Sequence, residues 1–398
     1  MEATEVLAHL AELGTPPDAE SAFEISVGLE GTIYRLENEI FPFLAAGGSE
    51  IQFVFGPYGR GKSHFLKTVE NVARNHRLVT AYVDCRAGQS PFSEIRETYR
   101  MIANAMTIEN SESDFSLASK VTGVIDASIL DLSMSEARRK LDGIRSNNKL
   151  AADFRNLVYA YGMTVLRGED GRDLNDDLEA LLTDCPTYRV TVGSLYREHK
   201  ELPRPLGKLG RRNAGHWLRS LISLPSALGY QGLVILFDET EKTLSFHKHG
   251  SKKQQEHLAN LRNFIDYMAV GAFHGCAVYY ALVEDFIELA HEQLEALSQR
   301  IERRRIPQLD YRNPRAVWVS LDEMTDPNTD SAVFYEKLAE NIIKIGKRAG
   351  MLNNSAPSLL RQLKQDAQES TKTIYDGAVR EFVKKTASIV IMEIEKNV

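Results

Sequence analysis

Cysteine is scarce in this chain: three in 398 residues, at Cys85, Cys185 and Cys276. No two of them form a C-x-x-C pair, so neither a disulfide framework nor a zinc site is expected, and a reducing cytoplasm suits the chain. Long apolar runs are missing as well. No stretch approaches the roughly 20 residues that cross a bilayer, so no membrane partner is expected. The opening residues, MEATEVLAHLAELG, are acidic and lack the basic start of a secretory leader, so no export signal is expected either. There is no basic excess: 48 Lys and Arg stand against 55 Asp and Glu, a net charge of −7. Any nucleic-acid contact therefore has to come from a local patch. What is left, 43% hydrophobic and 26% charged residues, is the balance of a globular protein with core enough for one large or two to three ordinary domains.

The chain is organised around Ile51–Val69, IQFVFGPYGRGKSHFLKTV. The run Ile51–Phe55 reads as a buried strand, and Phe65, Leu66 and Val69 follow at helical spacing. Between them lies Gly56-Pro57-Tyr58-Gly59-Arg60-Gly61-Lys62-Ser63, a full G-x-x-x-x-G-K-[ST] in the strand–loop–helix setting that gives the motif its mechanism. Glycines let successive backbone N–H groups turn inward toward phosphate oxygens. The helix that follows adds its free N–H groups, His64 included, and the positive end of its dipole. Lys62 is expected to reach the β- and γ-phosphates of ATP, and Ser63 to hold Mg²⁺.

A second acidic anchor is Gly232–Glu239, GLVILFDE, whose apolar run suits a central strand covered on both faces. Asp238 at its end is placed to bind Mg²⁺, and Glu239 to polarise the attacking water. Further strands are read at Leu78–Val83, Cys276–Val283 and Ala316–Leu321. Residues 107–228 carry helical patterns and little strand signal, and read as a helical insertion in an α/β core. Helices are expected at Thr32–Leu44, Phe92–Met106, Leu258–Met268 and Ile287–Arg303, and beyond Pro327 the pattern is all helical. A helix is read over Ala356–Ala367, and loops over Asn110–Ser116 and Ser245–His257.

Two basic features have more than one reading. Arg197–Arg219 holds Arg204, Lys208, Arg211 and Arg212 with Trp217, which could meet a nucleic-acid backbone. The favoured reading is a solvated helix start whose Trp217 and Leu218 are core. Arg300, Arg303 and Arg304 end a helix before Pro307. They are either cations capping its negative end or fingers reaching a neighbour's γ-phosphate.

Several segments resemble AAA+ ATPases. The Val27-Gly28 turn is similar to their adenine-side segment, and the C-terminal helices to their lid. Gly377-Ala378-Val379-Arg380 resembles their second sensor, which would bring Arg380 to the phosphates of its own chain. Where many AAA+ proteins close a strand with a first, polar sensor, Cys276–Val283 holds tyrosines and is followed by Glu284-Asp285. With RPLGKLGRRNAGHWLRSLISLPSALGYQGLVILFDETEK and Leu166-Arg167-Gly168-Glu169 added, the chain resembles the ATP-binding proteins of BREX phage-resistance systems, BrxD-like and related to the P-loop portion of BrxC.

That resemblance implies an AAA+-like, additional-strand P-loop core with a five-stranded parallel sheet. The expected divisions are an N-terminal extension (1–22), first core half (23–106), helical insertion (107–228), second core half (229–321) and helical lid (322–398). It implies an ATPase that self-assembles and works with a helicase or another defence-operon partner on foreign DNA. The alternative is a slow nucleotide-dependent switch that scaffolds partners. A kinase is disfavoured, because an Asp-Glu pair serves water activation better than hydroxyl phosphorylation.

Overall fold

The computed structural model describes residues 1–56, 59–85, 91–109, 117–168, 172–184, 214–240, 251–283, 285–302, 318–320, 331–348, 359, 363 and 377–396. Seven strands form one sheet: β1 (Ser49–Phe55), β2 (Val79–Asp84), β3 (Met106–Glu109), β4 (Leu117–Ser119), β5 (Leu233–Asp238), β6 (Cys276–Leu282) and β7 (Trp318–Ser320), in the order β4-β3-β2-β5-β6-β1-β7. Five of them, β2, β5, β6, β1 and β7, run parallel and correspond to the strands read from sequence. The other two correct that reading. Thr80 pairs with Thr107, and Thr107 with Ser119, so an antiparallel hairpin extends the β2 edge at the start of the presumed insertion. Its strands are four and three residues long, too short to show a two-residue period in sequence.

Alternation along the parallel strands builds two cores. Ile51, Phe53 and Phe55 of β1, Leu233, Ile235 and Phe237 of β5, and Val278, Tyr280 and Leu282 of β6 enter the larger one. Val54, Val234, Leu236, Ala277, Tyr279 and Ala281 face the other way into a smaller one. Burial on both faces is why these strands read as unbroken apolar runs.

The smaller core is covered by α5 (Lys62–Asn75) and by α3 (Glu30–Arg35) and α4 (Phe41–Ala45), joined by a π turn at Leu36–Ile40. One helix was expected over Thr32–Leu44. Pro42 brings no N–H to an α ladder, and the wider turn fits: Phe41 N–H bonds Leu36 O.

On the larger face lie α6 (Ile95–Ala105), α7 (Lys120–Ile129), α8 (Met134–Ser146), α9 (Ala152–Arg167), α10 (Arg172–Asp184), α11 (Ala214–Ala227), α12 (Lys252–Ala269), α13 (Asp285–Gln293) and α14 (Glu295–Glu302). The helices of the insertion thus share the sheet's own core. The single helix expected over Ile287–Arg303 is interrupted between α13 and α14. The loop expected at Asn110–Ser116, residues 245–250 of the loop expected over Ser245–His257, and the helix over Ala356–Ala367 apart from Leu359 and Leu363, lie outside the described residues. The rest of the second loop is corrected: the Ser251 side chain caps the Gln254 N–H, and α12 already begins at Lys252.

A third core unites the two ends of the sequence. Val6, Leu7 and Leu10 of α1 (Ala3–Leu13) pack with Leu338, Ile342 and Ile345 of α15 (Ser331–Arg348) and with Phe382, Val383 and Val390 of α16 (Ala378–Lys396). Within residues 1–22, α1 thus packs with the C-terminal helices. The second N-terminal helix, α2 (Ala19–Ile25), is capped by Asp18, whose carboxylate accepts the Ser21 N–H at 2.8 Å.

Candidate functional site

Gly56 follows the carboxyl end of β1, and the described chain resumes at Gly59; Pro57 and Tyr58 lie outside the described residues. Gly59 and Gly61 have φ of +78° and +92°, a region that strains any side chain. Helix α5 starts at Lys62, and its first intrahelical bond runs from Phe65 N–H to Gly61 O at 2.8 Å. The N–H groups of Lys62, Ser63 and His64 precede that bond, and Gly61 offers no side chain to cap them. Lys62 is 7% exposed and curls back so that Nζ donates to Gly56 O at 2.8 Å. A buried cation beside helix N–H groups that no side chain caps makes a cradle suited to an anion.

The acidic half sits at the end of β5, with β6 between it and β1. Asp238 is 5% exposed and held at both oxygens. Its Oδ1 accepts the Glu239 N–H at 2.8 Å, and Oδ2 accepts the Tyr82 hydroxyl at 2.5 Å. Burial and the Asp238 carboxylate raise the Tyr82 pKa far above the usual phenol range, so Tyr82 is the donor. Asp84 stands beside Asp238 in the β2–β5 register. Glu239 is half-buried at φ +53°, rare for a residue with a side chain. Thr240 closes the turn by donating to Ala281 O on β6. Neither Tyr82 nor Thr240 was singled out from sequence.

Lys67, one turn past the cradle, donates to Pro16 O at 2.7 Å and Pro17 O at 3.1 Å. Burial lowers its pKa, against the opposing pull of Glu70, Asp18, Asp238 and Asp84. The His64 ring is turned away from the loop toward α2, where Nε2 lies 2.9 Å from Ser26 Oγ. Burial first, and the Lys67 charge second, lower its pKa to about 4, so the ring is neutral. What His64 can offer the cradle is its backbone N–H.

Val27 packs against the C-terminal core, and Gly28 (φ +78°) has open space where a Cβ would stand. The C-terminal unit touches the loop at Gly377: a Cβ on Gly59 would come within 3.2 Å of its Cα and N. Arg380, however, points to α1, its Nε donating to Leu13 O at 2.7 Å. Arg300 is engaged within its own chain, Nε at 2.5 Å and a terminal nitrogen at 3.0 Å from the two Asp266 oxygens. Arg303 and Arg304 lie outside the described residues, as do Arg204, Lys208, Arg211 and Arg212. Trp217 is core, 5% exposed and edge-on to Tyr99 and Phe154.

Among the described residues, no group of three or more His, Cys, Asp or Glu side chains is arranged to hold a metal ion, and no helix is long and apolar enough to cross a membrane. A glycine cradle at the carboxyl edge of a parallel sheet, facing carboxylates across one inserted strand, has the form of a nucleotide-binding α/β protein. The chain matches the family model of the BREX system ATP-binding protein BrxC/D over residues 2–159 and 200–396 and belongs to that family. Its class is thus that of the ATP-binding proteins of BREX phage defence. No curated protein and no solved structure matches it.

Proposed function

We propose that the protein is an AAA+-type ATPase of BREX defence, binding ATP with Mg²⁺ at Gly56–His64 and hydrolysing it to ADP and phosphate. The observation that carries this reading is the strand order: β6 lies between β1, which leads into the glycine cradle, and β5, which ends in Asp238-Glu239. One strand between the two is the arrangement expected of an additional-strand ATPase, in which cradle and carboxylates act on the same γ-phosphate. Lys62 exchanges Gly56 O for phosphate oxygens. The Ser63 hydroxyl and the Asp238 carboxylate are hard oxygen ligands of the kind Mg²⁺ takes when substrate phosphates complete its shell. When bound, the ion offsets phosphate charge. Glu239 orients the water and accepts its proton. The C-terminal helices, abutting Gly59 at Gly377, act as the lid.

Within this reading the protein is cytoplasmic, self-assembles, and couples turnover to foreign DNA beside a helicase or another operon partner. One observation favours the slower switch instead: Arg300 is held by Asp266, so a finger in trans would first have to break that pair. Hydrolysis measured with and without duplex DNA separates the two, since strong stimulation belongs to the first and slow, unstimulated turnover to the second.

Two variants test the site. Lys62→Ala is expected to lose tight ATP binding by calorimetry, because Lys62 is the buried cation of the loop, whereas the other cation there, Arg60, is exposed. Glu239→Gln is expected to bind ATP as the parent does while hydrolysis falls by about 10²–10⁴, the usual share of a general base. Parental affinity in the first, or parental turnover in the second, removes the corresponding assignment.

A further inference from the structure

Ser26 ends α2 at a junction of three elements. Its Oγ lies 2.9 Å from Ala22 O, 2.9 Å from His64 Nε2 and 2.9 Å from Thr68 Oγ1. A carbonyl only accepts, so the single Ser26 hydroxyl proton goes to Ala22. Thr68 directs its own proton to His64 O at 2.9 Å. The remaining partner, His64, is then the donor through Nε2–H, a tautomer assigned from this network. Ser26 O accepts in turn from Asn341 Nδ2 of α15 at 3.2 Å. Arg348 of the same helix pairs with Glu24 of α2, and Ile25 and Val27 on either side of Ser26 pack into the C-terminal core.

One residue therefore grips both neighbours. Its side chain holds α5 at position 64, within the first turn after the cradle, and its carbonyl holds the C-terminal unit. Only four covalent bonds separate the two atoms, so little flexible chain lies between the grips. We propose that Ser26 is a positioning residue that couples the phosphate cradle to the C-terminal helices: a shift of the first turn of α5 on phosphate binding is carried through His64 and Ser26 to Asn341. The proposal rests on the phosphate-loop reading of Gly56–His64. A purely structural staple between α2 and α5 would hold the two helices equally well with or without nucleotide, and it is this dependence that separates the two roles.

The test is backbone hydrogen exchange of Ser331–Arg348 in the full chain, with and without Mg²⁺ and ATP, alongside ATP affinity by calorimetry. In the parent, ATP slows exchange in α15. Ser26→Ala binds ATP within about threefold of the parent but loses that response. Ser26→Thr, which keeps the hydroxyl, restores it. Asn341→Leu removes the response from the other side, and it carries the test if the Ser26→Ala variant does not fold. Parental, ATP-dependent protection of α15 in both Ser26→Ala and Asn341→Leu overturns the coupling while leaving the cradle intact. So does a parent that binds ATP without any change in α15. A parent that binds no ATP overturns the phosphate-loop reading and the coupling with it, and calorimetry identifies that case before exchange is measured.

Discussion

Asp238 is reached from two directions, and each contact has a consequence that can be measured. Glu239 holds a left-handed backbone that costs roughly 1–3 kcal/mol for a residue with a side chain. The turn keeps it because its flanks are pinned, Asp238 to Tyr82 and Thr240 to Ala281. Tyr82 sets the direction of the Asp238 carboxylate, and in the proposed function, where Asp238 holds Mg²⁺, that makes it a partner of a metal ligand. Tyr82→Phe is therefore expected to weaken the Mg²⁺ dependence of ATP binding by about tenfold, with little change in nucleotide affinity measured without the metal. An unchanged Mg²⁺ titration would leave the tyrosine a packing residue. The sequence makes Asp238 and Glu239 visible because an apolar run ends in them. It hides Tyr82, whose hydroxyl meets an acid 156 positions away. Only the pairing of β2 with β5 brings the two together.

Among the elements, the packing of α7 against α9 contains a group poised to titrate. Asp126 Oδ2 accepts the Tyr161 hydroxyl at 3.1 Å, while Oδ1 is buried without a hydrogen-bond partner among the described residues. Burial raises its pKa to about 6, helped by Glu179, which itself pairs with Lys120 at 3.1 Å. The folded protein thus favours the protonated acid more than the unfolded chain does. Its contribution to stability is complete below the ordinary carboxylate pKa and is lost as pH rises through about 6. Asp126→Asn, which keeps an acceptor for Tyr161, should raise the unfolding midpoint more at pH 8 than at pH 5. A shift of equal size at both pH values would show that the charge is not what matters. Long apolar strands and amphipathic helices were legible in the sequence because period and length agree. The β3–β4 hairpin, the π turn before Pro42 and the break between α13 and α14 were not, being local departures decided by a few backbone hydrogen bonds.

At the scale of the molecule, α1 gives its apolar face to α15 and α16, more than 300 residues further along the chain. Nothing in the amphipathic pattern of Ala3–Leu13 says which distant surface will cover it. Leu7 and Leu10 are fully buried there. Leu7→Ala or Leu10→Ala is expected to cost about 2–5 kcal/mol of local stability. That loss should appear as faster hydrogen exchange in Ala378–Lys396 and leave β1, β5 and β6 protected. Equal loss across the sheet would mean that the three cores melt as one.

The order in which this protein is made gives that junction a further meaning. Helix α1 leaves the ribosome long before the helices that cover it, which lie more than 300 residues further along the chain. At about 5–20 residues per second, the interval is on the order of 20–75 s. Throughout it Val6, Leu7 and Leu10 have no native surface to rest on, while the strand and loop at Ser49–Lys62 are already available to fold. A nascent chain can therefore own its glycine cradle well before it owns the helices that meet Gly59, and translation of α15 and α16 becomes the event that first joins the two.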